Sequence, residues 1–269
     1  MDKERINIMI PSKARCGLIK TIEWLPEDKC NISIFVEPQD YLCYKSTYGD
    51  RYSIVNVGAD DKGVAFVRNF AVTYYGGGNV VHLDDDINKL LIRNDSRMRK
   101  AQKDEIRDLF TFLNNKLYEP EVGLVTISFS ASNWLFAGEW KEPSRAWCFF
   151  GLNGKRLLEK DINFDLNLLF QEDYDLVAQI LNKGLRSVCT YRYAFDCPKI
   201  GTTVGGCQTY RTKLLNEKNV EYLFKKWPGK IQIKKRLDGY IEPQFIWSKF
   251  SSKSKKDSLP LFREIKGKM

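Results

Sequence analysis

The chain has a single histidine, His82, among 269 residues, and its seven cysteines include no C-x-x-C pair. Both scarcities bear on metals. A structural zinc site needs four Cys or His ligands at short spacings, and other soft metals draw on the same side chains. An odd cysteine count without motif spacing also suggests no disulfide framework. No apolar run approaches the roughly 18 residues of a membrane-spanning helix. The opening "MDKERINIMIPSK" enters an apolar stretch without the pattern of a secretion signal, so the expected compartment is the cytoplasm. There is no internal repeat, and no flexible linker divides the chain before "SKFSSKSKKDS" near its end.

What is present is a globular composition, 43% hydrophobic with 13% aromatic residues, enough to fill a substantial core. The formal charge is +9, and it is concentrated. Lys225 to Met269 carries 13 Lys or Arg against 4 Asp or Glu, while the preceding 224 residues hold 30 of each. Clustered charge attracts a polyanion, whereas scattered charge chiefly confers solubility. A solvated basic tail is the plainer alternative. The chain accordingly divides into a main domain, residues 1–224, and a basic C-terminal segment, residues 225–269, that is a candidate contact for the acceptor or for nucleic acid.

Strands are expected at "INIMIPS", "NISIFVEP", "YSIVNVG", "NVVHL", "VGLVTISFS", "DINFDLNLLF" and "LRSVCTYRYAF". Helices are expected around Leu18, Ile22 and Leu25, over "GVAFVRNFAVTYY", over "RKAQKDEIRDLFTFLNNKLYE" with its stripe of Ile106, Leu109, Phe110, Leu113 and Leu117, and over "QEDYDLVAQILNKG". Residues 131–154, carrying Trp134, Trp140 and Trp147, read as an aromatic-bearing loop region. Strands alternating with helix-length segments predict an α/β fold with a mostly parallel sheet.

"VVHLDDDINKL" then sets three aspartates at a predicted strand end, where open α/β sheets place ligands. Adjacent carboxylates repel one another and need water or a cation. Strand alternation predicts Asp84 and Asp86 on one side, sharing Mg²⁺ or Mn²⁺ with substrate phosphates, and Asp85 on the other, free for a supporting contact behind them or for a sugar hydroxyl. A solvated turn with an Asp helix cap remains open. Glu172 and Asp173, with Asp175 behind them, form a second acidic cluster that fits either a helix cap or the orientation and deprotonation of an acceptor hydroxyl. Lys13, Arg15 and Arg68 are candidate phosphate contacts, with surface salt bridges as the alternative.

The ordered set "IPSKAR", "FVEP", "GVAFVRN", "VHLDDDI" and "FQEDYD" resembles a GT-A glycosyltransferase of the inverting, family-2-like type over roughly residues 5–210. The resemblance implies a GT-A-like, mixed but mostly parallel sheet flanked by helices, and a nucleotide-sugar donor, UDP-linked by preference. Pro11, Ser12, Lys13 and Arg15 would hold the nucleotide, Glu37 its base or ribose, and Arg68 the diphosphate or base. Asp84 and Asp86 would be the metal carboxylates, with Asp85 beside the donor. Asp173 would be the general base, assisted by Glu172, and "VGGCQTYR" would lie on the acceptor side. A Q-x-x-R-W element is absent, which argues against a processive polysaccharide synthase. The late histidine of many such enzymes is also absent, so Glu242 or water would complete the metal shell; His82 is either turned to the site or a satisfied strand-end residue.

Small proteins of this kind with a basic C-terminal part resemble enzymes, found especially in bacteriophages, that glycosylate hydroxymethylpyrimidines in DNA, and glycosyltransferases associated with base hydroxylases. The implied setting for a phage enzyme is the infected host's cytoplasm. Lys234, Lys235, Arg236 and the terminal lysines would contact phosphates. Trp227, Trp247 or an aromatic between Trp134 and Trp147 would stack on an extruded base. Glycosyl transfer to a cell-surface glycan, a Mg-dependent nucleotidyltransferase or nuclease, and a non-catalytic nucleic-acid binder are the competing readings.

Overall fold

β-branched and aliphatic runs bounded by Pro, Gly and Asp become the strands of one large sheet. The computed structural model describes residues 5–94, 97–130, 138–198, 205–206, 211–236 and 239–250. Its first half alternates strand and helix: β1 (Ile6–Pro11), β2 (Cys30–Val36), α1 (Pro38–Tyr48), β3 (Ser53–Asn56), α2 (Val64–Tyr74) and β4 (Asn79–Leu83). A hairpin follows, β5 (Lys89–Asn94) and β6 (Arg97–Lys100), and then α3 (Lys103–Tyr118) and β7 (Val122–Phe129). Next come β8 (Trp140–Lys141), β9 (Phe149–Asn153), α4 (Gly154–Glu159), α5 (Glu172–Asn182) and β10 (Arg186–Asp196). The described chain closes with α6 (Lys213–Lys226) and the hairpin β11 (Ile231–Lys235) and β12 (Ile241–Phe245).

The sheet runs β3-β2-β1-β4-β9-β7-β10-β5-β6, with β8 also paired to β10. β1 is parallel to both β2 and β4, whereas β9 is antiparallel to β4 and β7. Chain order therefore reverses at β1, which leaves a crevice outside the carboxyl ends of β1 and β4. The expected α/β architecture with a mostly parallel sheet is what forms. One face buries Leu109, Phe110, Leu113 and Leu117 of α3 against Ile8, Val81 and Phe149. The other packs Val67 and Ala71 of α2 and Leu176, Val177 and Ile180 of α5 on Met9, Val80 and Phe150.

Several expectations are corrected. The segment around Leu18, Ile22 and Leu25 forms only a short 3₁₀ turn, Thr21–Glu23, because its polar groups bind the aspartate turn instead of one another. Thr21 donates through Oγ1 to the Asp84 carbonyl and accepts from the Ile87 N–H at 3.1 Å. "DINFDLNLLF" alternates Ile162, Phe164 and Leu168 into the core yet is not a strand. Side-chain amides replace a ladder there: Asn69 accepts from the Phe164 N–H at 2.8 Å and donates to its carbonyl at 2.7 Å, and Gln179 donates to the Asn163 carbonyl at 2.8 Å. The 131–154 region contains β8 and β9, and the polar run after β2 is α1.

The boundary at 224/225 falls inside α6, and Ile231 and Phe245 of the following hairpin join the core beside α5, so residues 225–250 are built onto the main domain. Cys16 and Cys43 are joined as a disulfide, Cα to Cα 6.2 Å, contrary to the cysteine reading. Spacing arithmetic does not register that the loop after β1 faces α1.

Asn69→Ala is expected to leave both backbone groups of Phe164 unpaired at about 1–3 kcal/mol each. Chemical denaturation measures the loss; a cost below about 0.5 kcal/mol would mean that water replaces the amide.

Candidate active site

β4 ends at Leu83, so the aspartate triplet lies in a turn and its side chains do not follow strand alternation. The turn is anchored by its backbone: the Asp84 N–H donates to the Cys148 carbonyl at 2.9 Å, and the Asp85 carbonyl accepts from Lys20 at 2.9 Å and Thr21 at 3.3 Å. Each carboxylate then takes its own direction. Asp84 accepts from Arg68 at 2.8 Å. Asp86 accepts from Arg15 at 3.1 Å, and Asp85 accepts from both Arg15 and Ser12. Asp85 is buried, so the expected contact with a sugar hydroxyl gives way to holding the loop after β1. Asp84 and Asp86 keep 33% and 24% of their side-chain surface open, which leaves them the two carboxylates of the triplet able to meet a ligand.

The loop after β1 carries the other expected donor contacts. Pro11 is its last strand residue, and buried Ser12 also shares a 2.8 Å hydrogen bond with the Tyr44 hydroxyl of α1. Lys13 reaches Glu37, at the end of β2, at 2.8 Å, and also binds Asp61. Gly206 N–H donates to the Lys13 carbonyl at 3.1 Å, and a side chain at Gly205 would strike the Lys13 and Ala14 carbonyls at 2.9 Å. The two glycines of "VGGCQTYR" thus lie against the loop after β1; Val204 and Cys207 to Tyr210 are outside the described residues.

Arg68 projects from α2, buried, and spans the two acidic clusters: one guanidinium nitrogen is on Asp84 and the other on Glu172 at the start of α5. Its cation also lies over the Phe150 ring at 5.2 Å. The acids of α5 diverge. Asp173 accepts from Arg145 Nε at 3.4 Å, while Asp175, fully buried, accepts from Lys226 at 2.9 Å and from the Trp227 indole N–H at 2.8 Å. Helix α5 begins on Gln171 in a left-handed conformation, φ +69°, a strained non-glycine geometry of the kind concentrated at functional sites.

Burial dominates the electrostatics. It pushes Glu172 up to about 7, against the pull of Arg68, and Asp85 up to about 6, against Arg15 and Ser12. Asp84 is raised by the same cause. Around the two guanidiniums of Arg15 and Arg68 stand four carboxylates, Asp84, Asp85, Asp86 and Glu172, two charges in excess when all are ionised. That balance fits a divalent cation held by Asp84 and Asp86, with the remaining positions left to phosphate and water. Among the described residues no group of three His, Cys, Asp or Glu could hold a metal unaided. Glu242 does not complete such a set; it pairs with Arg236 at 2.9 Å.

Other expected contacts land elsewhere. His82 is buried and stacks on Phe150 at 4.9 Å, with no partner for either ring nitrogen. Burial and the charge of Arg68 hold it neutral, so it is a core residue. Trp227 is half-buried, its indole N–H on Asp175 and its ring in a T-shaped contact with Phe250 at 5.2 Å. Lys234, Lys235 and Arg236 are exposed on the hairpin. Trp134 and residues 251–269 lie outside the described residues. Arg145 escaped the sequence reading, because nothing in "EPSRAW" ties it to a helix start 28 residues later.

A Rossmann-like sheet with an acidic turn at the switch point and a second acidic helix start defines the GT-A class. Two solved glycosyltransferase structures superpose on it: S. aureus TarS 1-349 in complex with UDP-GlcNAc, at 12% identity, TM-score 0.56 and 82% of this chain, and GalNAc-T7 with UDP, GalNAc and Mn²⁺, at 8% identity, TM-score 0.50 and 73% of this chain. This chain spans 67% and 44% of those chains, respectively. The model of the TET-Associated Glycosyltransferase family matches residues 6–206, and the chain belongs to that family. It is also 20% identical over 234 residues to the beta-glucosyl-HMC-alpha-glucosyl-transferase of Enterobacteria phage T2, covering 83% of this chain and 81% of that protein.

A carboxyl raised in the folded state binds its proton more tightly there than in the unfolded chain. The contribution of Glu172 to stability is therefore present below about 4.5 and is lost as pH rises through about 7. Glu172→Gln, which keeps an acceptor for Arg68, should flatten thermal stability between pH 5 and 8; an unchanged slope would assign the pH dependence to other groups.

Proposed function

We propose that the protein transfers a sugar from a nucleotide-sugar donor, UDP-linked by preference, to the hydroxymethyl group of a modified pyrimidine in DNA, with Mn²⁺ or Mg²⁺ and with inversion. The observation that carries this reading is the acidic turn at the switch point, open at Asp84 and Asp86 and joined by Arg68 to the helix that bears Asp173. A bound cation would be held by Asp84 and Asp86 and would supply positive charge to the departing diphosphate. Arg15 and Arg68, released in part from the carboxylates they neutralise, add guanidinium donors on the same side. Lys13 and Glu37 at the ends of β1 and β2 are placed for the nucleoside, with Pro11 and Ser12 shaping the loop.

Asp173 accepts the proton of the acceptor hydroxyl as that oxygen attacks the anomeric carbon opposite the leaving diphosphate. Glu172 does not touch the acceptor in this scheme; through Arg68 it fixes the start of α5. Inversion follows from the family-2-like resemblance and from the role of Asp173 as base. The acceptor assignment is supported by the name of the phage T2 relative, whose HMC denotes hydroxymethylcytosine, and by the exposed Lys234, Lys235 and Arg236. The donor and cation are supported by the UDP-GlcNAc bound to TarS and the UDP and Mn²⁺ bound to GalNAc-T7. The setting we infer is cytoplasmic, in an infected host if the chain is phage-encoded. No helix among the described residues is long and apolar enough to cross a membrane.

The test incubates the protein and Mn²⁺ with a panel of nucleotide sugars, with and without hydroxymethylated DNA, and reads released nucleoside diphosphate and digested nucleosides by mass spectrometry. A sugar-bearing nucleoside is expected, and Asp173→Asn should lower kcat by about 10²–10⁴-fold. Transfer to a glycan but never to DNA would overturn the acceptor, and pyrophosphate release from a nucleoside triphosphate would overturn the transferase reading.

A further inference from the structure

Between the hairpin β11–β12 and the start of α5 lies an open cleft of about 530 Å³, lined by Arg145, the partner of Asp173, and by Tyr174, Gln232, Gln244, Phe245 and Trp247 among others. Its walls are a ladder of nearly parallel planes. The Arg145 guanidinium lies 4.3 Å from the Trp147 ring centre and 3.8 Å from that of Tyr174. Tyr174 stacks on Phe245 at 5.4 Å and 17°, Phe245 stacks on Trp247 at 4.8 Å and 16°, and the Tyr174 and Trp247 planes are within 6° of parallel. A planar cation already occupies one step of this ladder, so the spacing suits flat, conjugated groups.

Three features select the occupant. Tyr174 is covered by Arg145 and Phe245, whereas Trp247, half-buried at the rim of the cleft, keeps surface for a further ring. The exposed amides of Gln232 and Gln244 offer both donors and acceptors at the rim, the pairing that the edge of a pyrimidine demands. Lys234 and Lys235 stand exposed on β11, on the route a nucleic-acid backbone would follow. The cavity volume lies within the range of small-molecule sites and exceeds what one base requires.

On the reading given under Proposed function, we propose that this cleft receives the acceptor pyrimidine, taken out of its stack and laid against Trp247. Gln232 and Gln244 meet its edge, and its hydroxymethyl group turns toward Asp173. Arg145 joins the two halves of the arrangement, its face on Tyr174 and its edge on Asp173. It is a positioning residue: the guanidinium that completes the stack also holds the carboxylate that takes the proton. An unpaired base enters at less cost than a paired one, so single-stranded acceptor is favoured over duplex.

The test compares wild type, Trp247→Ala, Trp247→Phe and Gln244→Ala with a single-stranded hydroxymethylcytosine oligonucleotide, reading oligonucleotide KM and kcat together with UDP affinity and thermal unfolding. Trp247→Ala should raise the KM for oligonucleotide by about 5- to 100-fold, the usual effect of losing one stacking ring. Trp247→Phe should recover most of it, and UDP affinity should be unchanged in both. Gln244 is exposed, so Gln244→Ala reads the cleft without risk to the fold and should raise the same KM. Wild-type KM in both Trp247→Ala and Gln244→Ala, with transfer intact, would overturn the cleft assignment alone. If wild type binds UDP but transfers only to glycan, the DNA-acceptor reading falls and the cleft assignment falls with it.

Discussion

The ion pairing of Arg68 with Asp84 and Glu172 is the interaction on which the site depends. The Arg68 guanidinium touches both acidic clusters, joining the turn after β4, 16 residues on in the sequence, to the start of α5, 104 residues on. Glu172, taken out of water, is tolerated there because the guanidinium that also binds the half-open Asp84 pairs with it, over the Phe150 ring. Arg15 does the same on the other side of the turn, binding Asp85 and Asp86 and so fixing the loop after β1. Donor loop, acidic turn and α5 are thereby held as one rigid edge, and a preorganised edge is what charge stabilisation in group transfer requires.

The same pairing explains why the acidic excess persists. Complete neutralisation would leave nothing for a cation to answer, whereas four bare carboxylates could not be buried. Two arginines against four acids leave Asp84 and Asp86 open at the solvent edge, with Glu172 and Asp85 sealed behind them. The start of α5 is built differently. Asp175 draws Lys226 and Trp227 onto α5, which seats α6 and the hairpin beside Asp173, so a buried carboxylate with no direct chemistry sets the position of the aromatic cleft.

Much of this was legible in the sequence because the strongest signals are local. β1, β2, β4, α2, α3 and α5 carry clean apolar periodicity, and the two acidic clusters stand out as charge following apolar runs. The failures share a cause, which is that polar side chains did the work of backbone. Asn69 and Gln179 hold a segment whose alternation reads as a strand, and Thr21 binds the aspartate turn where a helix was expected. Asp85 does turn away from its neighbours into a supporting contact, but not through strand alternation, since the strand ends one residue before the triplet begins. Glu172 and Asp173 were recognisable as a pair, but their opposite partners, Arg68 and Arg145, follow only from the tertiary fold. His82 attracted a functional reading by its place two residues before Asp84, and burial decided against it; Trp227 is tied by its indole N–H to Asp175.

The central claim is that the acidic turn holds a nucleoside diphosphate through a divalent cation. Calorimetric titration of UDP into the protein, with and without Mn²⁺, tests it most directly. The account predicts one binding site whose affinity rises at least tenfold with Mn²⁺, and loss of that gain in Asp86→Asn with the fold intact. UDP affinity that is the same with and without Mn²⁺ in the wild-type protein would contradict it.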